Sequence, residues 1–361
     1  MADWKKRFSS SYRFMRVSRA TGAEVERLRN IRTGGTLEFN QDSDYETGTI
    51  DYTGELSLGA DLMRVYLDAE FQDGTVESIA LGTFIVSAPK REKVGALATG
   101  SARLSGRLRE VAEDEFDGPI TVPAGTNAVS CAAGLLRSAG LEVVADPSSF
   151  TLSSTWALGL DDSGGGMAKR LGAVNRLLDI AGFSPARCDG MGRVILSRYV
   201  EPADRPVALA LEEGASARFE NSAVDERDID DVANVVHAVY ETAEETVIGT
   251  AVDSDPSSDF STVSRGWRKA KSYTFSDLPE GSTQKDRQAA ADAKAAELLR
   301  TQAASIRRVT VTHVHAPVSV GDAVSVSWPS ARIEGKFAIR KRTLTLVGGC
   351  PMELEVRRYE R

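Results

Sequence analysis

The chain has 361 residues, 42% hydrophobic and 27% charged, and its 44 basic and 52 acidic residues give a net charge of −8. These fractions are typical of a folded globular protein, and the length predicts two to four domains of roughly 100 to 200 residues each. The acidic balance disfavours tight nucleic-acid binding, because affinity for phosphate comes mainly from clustered lysine and arginine. The longest apolar runs, such as Val207–Leu211, fall far short of the roughly 20 residues that a membrane helix needs.

The N-terminal residues and the cysteines indicate where the chain is made. Lys5–Arg7 are followed by Ser9–Ser11, where a secretory signal would place its apolar stretch, so we expect no signal peptide. Cys131, Cys188 and Cys350 are odd in number and far apart, which is typical neither of a disulfide framework nor of a zinc site. We therefore expect free thiols in a chain made in a reducing cytoplasm.

Residues 1–110 show the period of two that is typical of strands. From Met63 to Phe71 apolar side chains alternate with polar ones, and Asp73-Gly74 then supplies a hairpin turn. Similar short segments precede this hairpin. The pattern predicts a first small β-barrel over residues 1–110.

Residues 111–200 change to the period of helices. Asn127 is placed to cap a helix that ends at Gly140, and a second helix from Met167 ends at Gly182. Extended sequence follows each helix. This segment predicts an α+β domain with two helix-strand units.

The remaining sequence predicts a second barrel with an insertion. An acidic, polar stretch covers residues 212–231, a strand is expected at Val232–Tyr240, and Thr250–Ser264 resembles an exposed loop. An alanine-rich helix is expected at Thr283–Arg307, with Ala291, Ala295, Leu298 and Leu299 along one face. Five short strands follow it, centred on Val309, Val326, Phe337, Leu344 and Leu354.

The expected fold class is mainly β with α+β insertions, as two small β-barrels that flank an α+β domain. The second barrel would combine residues 201–240 with 303–361, and residues 241–302 would form the inserted loop and helix.

Two histidines are the strongest metal candidates. His313 and His315 lie two apart on a predicted strand, so their side chains would share one face and reach the same ion. No spacing brings the third histidine, His237, near them. Surface or interface histidines are the favoured interpretation, and whether the pair binds a metal is open.

Other candidate sites match their motifs poorly. Gly164–Gly166 precedes a helix as phosphate loops do, but Asp161 and Asp162 stand upstream and would repel a phosphate, so a flexible linker is favoured. A solvated loop is favoured for the acidic run because it lacks the glycine and final glutamate of a calcium loop. That run comprises Asp225, Glu226, Asp228, Asp230 and Asp231.

Motifs for nucleophilic catalysis are absent from the sequence: there is no G-x-S-x-G, no H-E-x-x-H and no protease-like cysteine segment. Carboxylates are abundant, but nothing marks two of them as a glycosidase pair. The sequence therefore predicts a protein that is not an enzyme, with no catalytic, metal-binding or cofactor-binding residue assigned and no cofactor.

Several short segments, taken in order, resemble the baseplate-hub proteins of tailed phages, including the hub module of siphophage tail-associated proteins and the hubs of contractile tails. In chain order they are Leu81–Pro89, Ala124–Thr126, the Leu-Leu-x-x-Ala-Gly helix ends at 135–140 and 177–182, Asp189–Val194, Pro317–Val324, Gly335–Ile339 and Met352–Val356. Each segment alone is common. Their order and spacing over nearly the whole chain carry the resemblance.

The resemblance implies a homotrimer whose subunits each contribute two similar barrels to a ring of six. Such a ring would adapt a six-fold tail tube or distal tail ring to a three-fold tail fibre or central tip, in a virion tail tip assembled in the bacterial host cytoplasm. The implied partners are further copies of the chain, the distal tail protein or tube ring, the tape measure protein and the fibre or tip protein. DNA would pass through the lumen without binding, and no membrane span is expected.

Two alternatives stay open. A tail-tip cell-wall hydrolase would use carboxylates that no motif marks, and the hub of a tailocin or a type VI secretion spike shares the fold that the resemblance implies. Many siphophage members continue into a peptidase, glycan hydrolase or fibre, whereas this sequence stops at Arg361. The resemblance therefore places wall digestion and receptor binding in another protein.

Overall fold

The computed structural model describes residues 3–95, 97–158, 168–215, 217–228, 232–241, 245–275, 283–302 and 305–360. Strands account for 47% of it and helices for 15%, so the predicted mainly-β class is confirmed. The chain divides into two compact units, Met1–Ser222 with Val311–Glu355 and Ala223–Thr310 with Val356–Arg361. The four domain boundaries given above stay predictions.

The N-terminal strands follow the alternation of the sequence. They are β1 (Phe8–Val17), β2 (Glu24–Leu28), β3 (Thr36–Asn40), β4 (Thr47–Thr53), β5 (Leu62–Phe71), β6 (Val76–Val94) and β7 (Leu97–Gly106). Met63, Val65 and Leu67 of β5 are fully buried, as their period of two predicts. The hairpin from β5 to β6 turns at Gly74, whose φ of 81° suits glycine.

Helices and short strands follow in the next segment. They are α1 (Arg109–Ala112), β8 (Ile120–Val122), α2 (Ala128–Ser138), β9 (Val143–Ala145), β10 (Trp156–Leu158), α3 (Arg170–Ile180), β11 (Arg187–Cys188) and β12 (Val194–Leu196). The Asn127 side chain accepts a hydrogen bond from the Ser130 N–H at 2.9 Å, which confirms the predicted cap. Gly140 and Gly182, with φ of 79° and 71°, end the two longer helices as expected.

The C-terminal part departs from the predicted elements at several points, and the predicted loop Thr250–Ser264 contains the end of one strand and most of a short helix. Its elements are β13 (Val207–Glu212), β14 (Phe219–Asp228), β15 (Val235–Glu241), β16 (Thr246–Val252), α4 (Thr262–Arg265), β17 (Ala270–Phe275), α5 (Gln284–Gln302), β18 (Ser305–His313), β19 (Ala323–Trp328), β20 (Ile333–Thr345) and β21 (Met352–Glu360). The segments around Phe337 and Leu344 are one strand, β20, because no turn residue separates them. The alanine-rich helix does not reach Arg307, which lies on β18.

Thirteen strands form one sheet. Eleven follow the order β14-β18-β21-β20-β3-β4-β7-β6-β5-β1-β2, and β19 pairs with both β20 and β13. The pairing of β3 with β20 joins the N-terminal strands to the C-terminal ones. The strands predicted as two separate barrels therefore belong to one sheet, and no closed barrel is detected in the described ranges.

Three smaller sheets complete the described fold. In the first unit, β8 pairs with β10, and β12 lies between β9 and β11. These strands accompany a core in which α2 and α3 bury Leu136, Val174 and Leu178. In the second unit the strand order is β16-β15-β17, and α5 packs on this sheet through Ala291 and Ala295.

The contact between α5 and β16 leaves no room for a side chain at Gly249. A Cβ there would lie 2.0 Å from the carbonyl oxygen of Ala291, a backbone atom that moves only if the helix moves. We expect Gly249→Ala to lower the free energy of unfolding by about 1–3 kcal/mol, the usual cost of overpacking. Urea unfolding measures the loss, and hydrogen exchange should show faster exchange of the α5 amides.

Gly134 provides the control. It lies on the exposed side of α2, where a Cβ would have no atom within 4 Å. Gly134→Ala should raise the free energy of unfolding by about 0.5–1 kcal/mol, since alanine favours helix over glycine. If Gly249→Ala were as stable as the unaltered chain, the result would contradict the close contact between α5 and β16.

Candidate functional site

The histidine pair lies inside the first unit. His313 ends β18 and His315 lies beyond it, so the two do not share a strand as predicted. Both are buried, and His315 is only 1% exposed. The interpretation as surface histidines is wrong, because Trp4 covers the His315 ring.

An aromatic cluster fastens the N-terminal segment over this histidine. Trp4 packs edge-on against the rings of His315, Phe8 and Phe71. The centroid of each of these rings lies 5.2 Å from the centroid of the Trp4 ring. The Arg218 guanidinium donates a hydrogen bond to the Trp4 carbonyl oxygen. Sequence spacing gave no signal for this contact, because its members come from distant segments.

Burial keeps His315 neutral at physiological pH. Desolvation lowers its pKa to about 3, and the nearby charge of Arg342 and the neighbouring His313 act in the same direction. Within the described ranges both ring nitrogens of His315 are without a hydrogen-bond partner. Burial also lowers the pKa of His313, whose Nδ1 lies against the Val314 carbonyl oxygen.

A metal site would need a third ligand beside these histidines. Among the described residues, no group of three or more His, Cys, Asp or Glu side chains could hold a metal ion. His237 lies on β15 in the second unit, where its Nδ1 is 3.0 Å from the Thr250 hydroxyl. The residues of this cluster thus fit a packing role better than a metal-binding one.

The cysteines are free thiols in partly or fully buried positions. Burial raises the pKa of Cys131, Cys188 and Cys350 above the ordinary value. Their thiols are therefore protonated at neutral pH, which makes them poor nucleophiles. Beside Cys188, burial also raises the pKa of the Glu46 carboxyl, which accepts a hydrogen bond from the Cys188 backbone N–H.

The acidic run begins in a strand instead of the predicted loop. Asp225 of β14 pairs with Arg307 at 2.8 Å, and Glu226 pairs with Arg308 at 3.3 Å. The sequence does not reveal these pairs because the arginines follow 82 positions later, on β18. Asp228 is also in β14, whereas Asp230, Asp231, Asp161, Asp162 and Gly164–Gly166 lie outside the described residues.

Open strand edges are the remaining candidate interaction surfaces. β2 and β14 end the eleven-strand row of the large sheet, and β17 ends the small sheet of the second unit. The side chains of Glu24–Arg27 and of Glu220–Glu226 are exposed throughout, as are most of those on β17. Edge strands expose backbone groups that pair readily with another chain, so this arrangement suits assembly.

Solved structures of phage tail proteins share the fold over almost the whole chain. The tail protein from Neisseria meningitidis MC58 matches with a TM-score of 0.66 at 14% identity, over 96% of this chain and 97% of that one. The 43 kDa tail protein of prophage MuSo2 from Shewanella oneidensis matches with a TM-score of 0.61 at 9% identity, over 96% and 98%.

A chain of a PdpA-VgrG complex shares the fold over part of its length. A chain of the Francisella PdpA-VgrG complex matches with a TM-score of 0.54 at 8% identity, over 98% of this chain and 58% of that one. No family model and no curated protein matches the sequence. At these identities the comparisons show the fold, and it is that of phage tail proteins and of the related part of a VgrG complex.

The described helices include none that is long and apolar enough to cross a bilayer. With buried histidines, protonated thiols and paired carboxylates, the side chains described above offer no assembled catalytic group. The open strand edges are the features that an assembly role would use.

His315 gives the first unit a measurable acid sensitivity. Its pKa of about 3 in the folded chain is below the ordinary value of 6.5, so the unfolded chain binds an extra proton between these pH values. Its contribution to stability is complete above pH 6.5 and falls by about 1.4 kcal/mol per pH unit as the pH drops toward 3. Chemical denaturation of His315→Phe from pH 4 to 8 should show a shallower loss of stability at acid pH.

Comparison at pH 8 is the control. There both states of His315 are neutral, so any difference between the variant and the unaltered chain does not come from titration of the imidazole. If the two chains lost stability in parallel below pH 6.5, buried His315 would not be the group that titrates.

Proposed function

We propose that this chain is the structural hub of a tailed-phage tail tip. The observation that carries the proposal is the end-to-end similarity of fold to two phage tail proteins, with more than nine-tenths of both chains covered in each case. The buried or paired state of the side chains described above agrees with a structural role. The hub would act in the virion tail tip after assembly in the bacterial host cytoplasm.

The hub is proposed to be a homotrimer. Each copy carries an N-terminal and a C-terminal set of antiparallel strands, joined through β3 and β20. Three copies would supply six such sets, which suits a ring placed between a six-fold tube and a three-fold tip. Open edges at β2, β14 and β17 supply backbone groups through which copies can join.

The ring is proposed to serve as a conduit for DNA. Three chains with a net charge of −8 each would carry 3 × −8 = −24. A lumen with negative potential disfavours phosphate binding, so the genome would pass without adhering. The proposed neighbours are the distal tail protein or tube ring above, the tape measure protein within, and a fibre or central tip protein below.

The hub of a type VI secretion spike or a tailocin is a second candidate. It is supported by the fold shared with a chain of a PdpA-VgrG complex, although this chain spans 58% of that chain. A tail-tip cell-wall hydrolase is a third candidate, which nothing in the described site favours. Incubation of the chain with purified peptidoglycan tests for the hydrolase. Loss of turbidity of the peptidoglycan that a single carboxylate substitution abolishes would contradict a purely structural role.

The trimer is tested by the mass of the purified chain in solution. We expect light scattering to give about three times the subunit mass of 38.8 kDa, and electron microscopy to show a three-fold ring with a central pore. The matched comparison is the same chain in mild denaturant, where the mass should fall to that of one subunit. A stable monomer at high concentration would contradict the hub.

A further inference from the structure

The small sheet of the second unit has one edge that is covered and one that is open. On β16, the Gln288 amide of α5 donates a hydrogen bond to the Ile248 carbonyl oxygen at 2.9 Å, and the Thr250 N–H donates to Asp292 at 3.1 Å. Side chains of α5 thus occupy backbone groups of β16. No strand in the described ranges pairs with the outer edge of β17.

The open edge is basic and carries an exposed aromatic ring. Arg268, Lys269 and Lys271 fall within or just before β17, and residues 265–275 contain no aspartate or glutamate. Trp267 is 55% exposed, and the Arg265 guanidinium stacks 5.4 Å from its ring centroid. An exposed tryptophan beside the open edge of a strand is the kind of residue that dominates binding energy at interfaces.

The edge of β14 has the opposite charge. β14 contains four acidic residues and one basic residue, Arg227, and its side chains from Glu220 to Glu226 are exposed. Val224, at 56% exposure, lies within this run. Asp225 and Glu226 form ion pairs with Arg307 and Arg308 of β18, which compensate part of this charge, and the Glu226 side chain remains 57% exposed. Acidic charge and an apolar centre on β14 therefore complement the basic charge and the tryptophan beside β17.

Charge distinguishes β14 from β2, the other end of the eleven-strand row. Within β2, Glu24 and Glu26 alternate with Val25 and Arg27, so this edge is mixed in sign. If β2 paired with β17, Arg27 would lie near Lys271. If β2 paired with β14, its glutamates would lie near the carboxylates of β14. Opposite charges across a strand pair favour pairing, whereas like charges oppose it.

We propose that the acidic edge of β14 in one copy pairs with the basic edge of β17 in the next copy. Such a contact is head-to-tail, because each copy offers two different surfaces, and contacts of this type close into rings when the rotation between subunits allows it. Backbone hydrogen bonds hold the added strand, and alternate side chains set its specificity. This pairing rests on the proposed trimer and identifies the surfaces that form it.

Disulfide trapping tests the pairing directly. Val224→Cys is combined in turn with cysteine at Ala270, Ser272 or Thr274, three positions on one face of β17, so that the test does not depend on one register. We expect at least one combination to give covalent trimers under oxidising conditions. Each single variant should remain a monomer on a non-reducing denaturing gel.

Val25→Cys is the matched control. It places the same substitution on the other open edge, β2, at 59% exposure. Combined with the same three β17 positions, it should give no covalent trimer.

Charge reversal gives an independent readout. Lys271→Glu should raise the dissociation constant of the trimer about tenfold, and Glu220→Lys, at an exposed acidic residue of β14, should do the same. The two reversals together should restore association, because the opposite charges again face each other. Lys93→Glu, the same charge change at an exposed residue of β6, should leave the dissociation constant unchanged.

The outcomes separate this pairing from the trimer itself. A chain that remains trimeric but gives no disulfide between β14 and β17, or gains nothing from the double reversal, overturns the pairing and leaves the hub standing. An unaltered chain that stays monomeric overturns both.

Discussion

The antiparallel pairing of β3 with β20 is the contact on which the large sheet depends. Leu37 and Leu344 face each other in this register and are both fully buried. Beside them, the Arg342 guanidinium stacks 4.4 Å from the Phe39 ring. Burial lowers the pKa of Arg342 to about 10, so it remains charged at neutral pH, and it donates a hydrogen bond to the Val318 carbonyl oxygen. These strands come from opposite ends of the chain, and their packing must offset the entropy of closing a long loop.

This long-range pairing explains which parts of the fold the sequence predicts. The cap at Asn127, the helix ends at Gly140 and Gly182, and the hairpin at Gly74 depend on neighbours within a few residues, and all are observed. The joining of N-terminal and C-terminal strands depends on a register between residues far apart, which periodicity does not encode. The alternating sequence pattern therefore does not distinguish two separate barrels from one continuous sheet.

The candidate site shows the same division. The sequence identifies His313 and His315 as unusual, but the residues that decide their chemistry are Trp4 and Arg342, which come from other segments. The acidic run is predicted as a solvated loop because it lacks the pattern of a calcium site, and the arginines that pair with it lie 82 positions later, on β18. The sequence contains a weak signal for open edges, because charged residues outnumber apolar ones in an edge strand such as Glu24–Leu28. This signal becomes useful only when the order of the strands is known.

The distribution of charge on the open edges also determines which contacts they avoid. Two copies of β14 placed edge to edge would bring Asp225 and Glu226 of one copy toward carboxylates of the other, and two copies of β17 would bring Lys271 toward its equivalent. Like charges at such positions oppose association, so each edge resists pairing with itself. An acidic edge and a basic edge on the same chain therefore favour a directed head-to-tail contact over a symmetric dimer. A ring of three requires a head-to-tail contact, because an edge that pairs with its own copy would close a dimer and leave no edge for a third subunit.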